Sequence, residues 1–333
     1  MRKILVIQTA FIGDVILATA VLEQLHAKYP NASLDVLVRK GNEQLFEGHP
    51  FVKDVLVWDK RHHKYTNLWK LLRHIRAQPY DLVVNLQRFA AAAFLTAFSG
   101  AHQRIGFDAS FLSLGFTRRH KHEIGKLGEA QFPHEVERCL ALIKPITGDT
   151  GALPKLYPTA AHRNRVDQLI QGSYVTISPA SVWFTKQTPP QVWRNMIAQL
   201  PQVQFYLLGA PSDESLCREI AQGFSNVELL AGRYSLLESA VILQHAQMNF
   251  TNDSAPLHLC SAMNAPVTAV FCSTIPEFGF GPLSDNAAVV QTTQPLNCKP
   301  CGIHGKSACP QGHFKCGEIS PETLRKRIPQ LKS

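Results

Sequence analysis

The sequence predicts an α/β protein built as two successive domains, and three observations carry that prediction. Short β-rich runs alternate with helix-period segments along the chain, a pattern that argues for parallel sheets covered on both faces. The 333 residues exceed the size at which one hydrophobic core usually divides, and their 45% hydrophobic content suffices to fill two. The alternation also pauses once, over residues 150–162, "TGALPKLYPTAAH", whose Pro, Gly and Thr read as a linker. The expected divisions are 1–155, 165–319 and a terminal helix over 320–333.

In the first half, "KILVIQ" reads as a strand followed by a helix from about Asp14 to Lys28. Its basic, apolar start has the look of an export signal, but Asp14 interrupts it and "ILVIQ" is too short for a signal core. "LDVLV" and "VKDVLVW" follow as strands, the latter before a helix near 67–77, and "YDLVVNLQ" leads into the helical "RFAAAAFLTAFSG". In the second half "YVTISPA", "QVQFYLLGA", "NVELLAG", "QMNFTND" and "APVTAVFC" are the strands, with helical sequence between them. No stretch is apolar over the length needed to cross a bilayer. Cys139, Cys217, Cys260 and Cys272 stand singly in apolar surroundings, as reduced core thiols do, so the cytoplasm is the expected compartment.

Ligands of open α/β sheets bind beyond the carboxyl ends of the strands, and polar clusters follow the strands here. In "QTAFIGDVI" Gly13 allows a tight turn and Asp14 stands at a helix start, either as a cap or as a carboxylate able to take a proton. The absence of a full G-x-G-x-x-G pattern there weighs against a dinucleotide site. In "SPASVWFTKQTPPQVW", Ser181 and Lys186 precede a helix start, which suits a phosphate or simply a solvated loop. Glu214 in "GAPSDE" is an exposed helix-start acid or a partner for ribose hydroxyls. In "TNDSAPLHLCSAM", Pro256 opens a helix that Ser254 or Ala255 caps, and Asp253, Ser254 and His258 crowd its start.

"TNDSAPLHLCSAMNAPVTAVF" resembles the signature of the ADP-heptose:lipopolysaccharide heptosyltransferases, glycosyltransferase family 9, where a D-S/T-G-x-x-H turn precedes a helix and a further strand. The N-terminal "ILVIQTAFIGDVILATAVLEQLHAKYP" is similar to the opening of that family, as are "YDLVVNLQ", "RIGFD", "HEVERCL", "SPAS…K" and the terminal "CKPC…CP…GH…C". The resemblance implies a GT-B fold of two Rossmann-like domains facing an interdomain cleft, with acceptor held by the first and nucleotide sugar by the second. It implies inverting transfer of heptose from ADP-heptose with no required cofactor. Asp14 matches the proposed base, Lys186 and Ser181 the donor-phosphate contacts, and Glu214 a ribose-binding acid. Asp253, Ser254 and His258 fall on the donor-site turn, with a sugar hydroxyl or turn amides as the better partners for Asp253. Two positions depart from the pattern. Ala255 stands where the family has Gly, removing easy access to positive φ, and "KQTPPQVW" replaces K-R-W-P.

The formal charge of +9 favours an anionic partner. "WDKRHHKY", with Lys60, Arg61 and Lys64, and "TRRHKH", with Arg118, Arg119 and Lys121, read as solvated loops or, under the resemblance, as contacts to acidic inner-core sugars carried on the inner membrane leaflet. That makes the expected protein peripheral to the inner membrane, and no nucleic-acid-binding signature accompanies the charge. Cys298, Cys301, Cys309 and Cys316 could form a structural zinc site, reduced thiols or disulfides, and none is a catalytic candidate. The alternatives are a transferase using another nucleotide sugar, a non-catalytic relative that binds one, and a sugar epimerase on the same architecture.

Overall fold

A computed structural model describes residues 1–129, 132–149, 151–170 and 172–329. They fall into two compact units, Met1–Ile124 with Pro133–Tyr157, and Gly125–Phe132 with Pro158–Ser333.

The first unit runs β1 (Lys3–Ile7), α1 (Ile12–Lys28), β2 (Ser33–Arg39), β3 (Val52–Trp58), α2 (Lys64–Arg76), β4 (Leu82–Asn85), α3 (Ala90–Ala97), β5 (Gln103–Phe107), β6 (Arg118–His120) and α4 (Glu135–Thr147). All six strands are parallel, in the order β3-β2-β1-β4-β5-β6. Because β1 lies between β2 and β4, successive connections leave it in opposite directions, and a crevice opens at the carboxyl ends of β1 and β4. The central strands read as continuous apolar runs because both faces are covered. Leu5, Ile7, Leu37 and Val83 pack against Leu68, Leu72 and Ile75 of α2 and Ala92 and Leu95 of α3. Asp35, fully buried in β2, takes the Tyr80 hydroxyl at 2.7 Å and Lys3 Nζ at 3.1 Å on one oxygen, Oδ2, while Oδ1 has no hydrogen-bond partner among the described residues.

One sequence expectation changes here. The basic segment "TRRHKH" is not all loop, since Arg118 and Arg119 form the edge strand β6 and pair with β5. Three polar residues give no apolar alternation to read, and charge on an edge strand discourages pairing with other chains. The glycine in "RIGFD" is explained by β5 itself: a Cβ on Gly106 would stand 2.7 Å from the Phe116 ring and 3.0 Å from the Asn85 carbonyl oxygen.

The second unit runs α5 (Ala160–Leu169), β7 (Tyr174–Ser178), α6 (Pro190–Ala198), β8 (Gln204–Leu207), α7 (Glu214–Ala221), β9 (Val227–Leu229), α8 (Leu236–His245), β10 (Met248–Asn252), α9 (Ala255–Ala262), β11 (Val267–Val270), β12 (Ala287–Val290) and α10 (Pro321–Arg325). Its parallel sheet, β12-β11-β10-β7-β8-β9, repeats the first topology, with the reversal between β7 and β10. Trp193, Phe205 and Phe250 are fully buried in its core, each contributing about 2–3 kcal/mol of apolar burial. The last residues of the expected linker already belong to α5, because the Thr159 hydroxyl accepts the His162 amide and starts the helix. The expected terminal helix is short, Pro321–Arg325, and residues 330–333 lie outside the described residues, as does residue 150.

Candidate active site

In the first unit, the carboxyl ends of β1 and β4 are tied together by the Gln87 side-chain amide donating to Gln8 Oε1. The chain then enters α1, whose first residue is Ile12, with Phe11 at the cap position. Asp14 is therefore not the cap. It lies in the first turn of α1, half-buried, where the helix dipole favours its ionised form. Gly13 is likewise helical, so the tight turn expected of it is absent.

A buried network lies close by on α4. Glu135 accepts from His122 Nε2 at 3.1 Å and from Arg138 Nη2 at 2.7 Å. Burial works against the Glu135 charge, but the His122 hydrogen bond and the Arg138 guanidinium hold its carboxyl below the ordinary range. Burial, with Glu135 and Asp14 among the nearby charges, pushes the Cys139 thiol well up.

The basic residues of this unit divide by environment. Lys60 is half-buried, with Nζ 2.5 Å from the Thr9 carbonyl oxygen and 4.7 Å from the Trp58 ring centre. Burial, with Arg39 and Lys64 nearby, lowers its pKa to about 8. It is thus a structured residue bonded to the loop that leads to Asp14. Arg61, Lys64, Arg118 and Arg119 are exposed.

In the second unit, the polar residues after β7, β10 and β11 meet at the switch point. Lys186 Nζ is 2.6 Å from Asp253 Oδ2, and the Thr274 hydroxyl donates to the same oxygen at 2.6 Å. The Lys186 and Asp253 side chains are only 15% and 8% exposed. Asp253 is thus held from within the protein by Lys186 and Thr274. Asn252 holds the loop after β7, accepting from the Thr188 amide at 3.0 Å and hydroxyl at 2.7 Å, and donating to the Pro179 carbonyl at 2.6 Å.

α9 begins at Ala255, with Ser254 at the cap position making no side-chain cap bond, and Pro256 is its second residue. Asn264, His63 and Phe314 are the non-glycine residues with positive φ among the described residues. Ala255 is not among them, so the family's glycine position demands no left-handed backbone in this chain. His258 is buried, its ring edge-on to Phe280 at 6.4 Å. Ser181 lies in the loop after β7, where its carbonyl accepts from Gln187 Nε2. Glu214 is the exposed first residue of α7 and is paired with Arg218 one turn on.

The cysteine-rich tail is laid along this site. The Thr185 amide donates to the Lys306 carbonyl at 3.0 Å, the Lys306 amide to the Thr185 hydroxyl at 2.8 Å, and the Cys301 amide to the Ser273 carbonyl at 2.9 Å. Gly305 has φ +78°, and a Cβ there would stand 2.9 Å from Lys186 Cγ. Cys298, Cys301, Cys309 and Cys316 are free thiols. Among the described residues no three His, Cys, Asp or Glu side chains form a metal-holding group, so the zinc option finds no preformed ligand set.

The model of glycosyltransferase family 9 (heptosyltransferase) matches residues 68–309, well over half of the chain. The chain belongs to glycosyltransferase family 9. It is 28% identical over 280 residues to lipopolysaccharide heptosyltransferase 3 of Escherichia coli, covering 79% of this chain and 82% of that one. Among solved structures, a family 9 glycosyltransferase from Veillonella parvula superposes with a TM-score of 0.81 at 19% identity, over 98% of this chain and 95% of its own. The E. coli heptosyltransferase WaaC, solved with ADP, gives 0.73 at 23% identity and 98% coverage of both chains. The two Rossmann-like parallel-sheet units are thus the fold of this family, and the chain is a glycosyltransferase.

Sequence reading missed Thr274, Asn252, Thr188 and the second-unit role of the tail. Thr274 had one available signal, a polar residue shortly after an apolar strand, whereas Asn252 closes β10 itself and Thr188 stands well beyond the end of β7. In the His122–Glu135–Arg138 network the Glu135–Arg138 pair had a signal, its i, i+3 spacing on α4, but His122 joins it only through the packing of that helix.

Proposed function

We propose that this family 9 enzyme transfers heptose from ADP-heptose to the inner core of a lipopolysaccharide precursor, with inversion and without a resident metal ion. The observation that carries the reading is the Lys186–Asp253–Thr274 cluster at the β7/β10 switch point, where an α/β sheet binds its ligand. Support comes from the heptosyltransferase relatives and from the ADP held by WaaC.

In this reading the first unit takes the acceptor and the second the donor. Asp14 accepts the proton of the attacking acceptor hydroxyl as its oxygen bonds to the anomeric carbon and the bond to the diphosphate breaks. Lys186 and the first amides of α9 stabilise the departing ADP, and Asp253 orients Lys186. Ser181 and Ser254 add hydroxyls, His258 shapes the start of α9, and Glu214 reaches ribose by exchanging its Arg218 partner. Lys60, Arg61, Lys64, Arg118 and Arg119 receive the acidic groups of the acceptor.

The test is ADP release on incubation with ADP-heptose and a heptose-deficient acceptor. Asp14→Asn is expected to bind ADP normally and to lose at least about a hundredfold in turnover. Unchanged turnover would remove Asp14 as the base, and no ADP release with any of several core acceptors would overturn the donor and acceptor assignment.

A further inference from the structure

One face of the first unit carries an apolar surface that the proposed chemistry does not use. Tyr65 and Trp69, one turn apart on α2, are 72% and 56% exposed, and Phe98, which closes α3, is 46% exposed. Phe111 and Leu114, in the 3-10 turn Phe111–Gly115, are 83% and 61% exposed. These residues lie on three elements that adjoin one another. Trp69 meets the Phe94 ring edge-on at 5.3 Å, and Phe94 lies 5.1 Å from Phe98. Arg76 Nη1 donates to the Phe98 carbonyl at 3.3 Å. A Cβ on Gly115 would stand 2.9 Å from the Ala97 Cβ, so the 3-10 turn lies directly against the end of α3.

Single exposed apolar residues are ordinary, but a set of them on three adjoining elements is not. Core packing does not account for it either, because α2 already buries Leu68, Leu72 and Ile75 against the sheet. Tyr65 and Trp69 are surplus to that core.

The charge around these residues has one sign. α2 carries exposed Lys64, Lys70, Arg73 and Arg76 and no acid, and α3 carries none. Between Lys60 and Arg104 the only acid is Asp81, which accepts the Arg2 and Lys3 amides at the far, amino-terminal end of β1. The partner that suits such a surface is apolar beneath and anionic on top. A second copy of this chain would set cation against cation. An anionic lipid bilayer meets both demands, since Trp and Tyr favour the bilayer interface and each nearby Lys or Arg adds attraction to acidic headgroups.

We infer that the α2–α3 face, with the 3-10 turn after β5, docks on an anionic bilayer. Trp69, Phe98, Phe111 and Leu114 enter the headgroup region while the α2 cations meet lipid phosphates. The inference deepens the reading above, and rests on it for the link that a lipid-carried acceptor must be met at a membrane surface.

The full chain is tested by sedimentation with vesicles of phosphatidylcholine alone and with phosphatidylglycerol added. Binding is expected only to the mixed vesicles and is expected to weaken with salt. The double variant Trp69→Ser/Phe111→Ser should lose about tenfold or more in binding with an unchanged circular dichroism spectrum. Lys70→Glu/Arg73→Glu should lose it as well. Equal binding of wild type and both variants, or equal binding to neutral vesicles, overturns the inference. So does concentration-dependent dimerisation that the Trp69→Ser/Phe111→Ser change abolishes, with no vesicle binding. Transfer assays separate this inference from the reading it rests on. If docking is right, the apolar variant keeps its rate on a delipidated acceptor and slows on the vesicle-borne one. Vesicle binding lost in the variants, with no transfer to either acceptor by wild type, would retain the docking face and refute the assigned reaction.

Discussion

Replacing Asp253 by Asn tests whether the Lys186–Asp253 pair organises the second unit's site. At 2.6 Å the two charges attract, which at an effective dielectric of about 20 amounts to roughly 6 kcal/mol before desolvation. Both side chains are largely withdrawn from water, so desolvation offsets most of this attraction and a net coupling of about 1–3 kcal/mol remains. Asp253→Asn leaves the Lys186 ammonium uncompensated and is expected to destabilise the second unit by about 2–4 kcal/mol. Lys186→Met strands the carboxylate in the same way. The double variant should recover about 1–3 kcal/mol relative to the sum of the singles. Hydrogen exchange of the β10 and β11 amides reads this, because core strands of a unit report its opening free energy. Calorimetric titration with ADP adds the functional half: Lys186→Met should weaken ADP by about tenfold or more. Single-variant costs that add to within about 0.5 kcal/mol would refute the pairing, and unchanged ADP affinity would refute the assignment of Lys186 to the diphosphate.

Two further outcomes follow from the first unit. Lys60 has a folded pKa of about 8, so its positive charge is present below that pH and lost as pH rises through it. Binding of the acidic acceptor should weaken above pH 8, read as a rising acceptor KM, and Lys60→Arg should flatten that rise because guanidinium stays charged; an identical rise in the variant would exclude Lys60. The sign for stability is opposite. The folded state sheds this proton more readily than the unfolded chain, so folding gains from rising pH between about 8 and the ordinary lysine value of 10.5. Tyr80→Phe removes one of the partners of buried Asp35 and should cost about 1–3 kcal/mol in the exchange protection of β1 and β2; a change under about 0.5 kcal/mol would mean the Lys3 contact suffices.

Much of this molecule was legible in advance because its strands are buried on both faces and therefore read as unbroken apolar runs. "ILVI", "LVVN" and "VTAV" could be placed to within a residue or two. β6 could not, because an all-polar edge strand has no periodic signature, and its pairing is fixed by β5 rather than by its own side chains. Helix starts were less legible than strands. Asp14 and Pro256 each sit inside the first turn, since Phe11 and Ser254 occupy the cap positions without offering a side-chain cap bond. Lys186 and Asp253 were both singled out, but their mutual contact spans 67 positions of sequence and is created by the β7–β10 pairing. Sequence spacing holds no record of such a pairing.

The repeated strand order has a bearing on how such an enzyme can diversify. Asp14 follows the first strand of one sheet, and Lys186 follows the first strand of the other. Both therefore belong to the strand-to-helix connections at the point where their sheet reverses, Asp14 in the first turn of α1 and Lys186 in the 3-10 turn before α6. Substitutions in these connections can redirect specificity while the strands beneath keep the same register. A duplicated framework of this kind separates what selection must preserve from what it can vary, and it does so twice within one polypeptide.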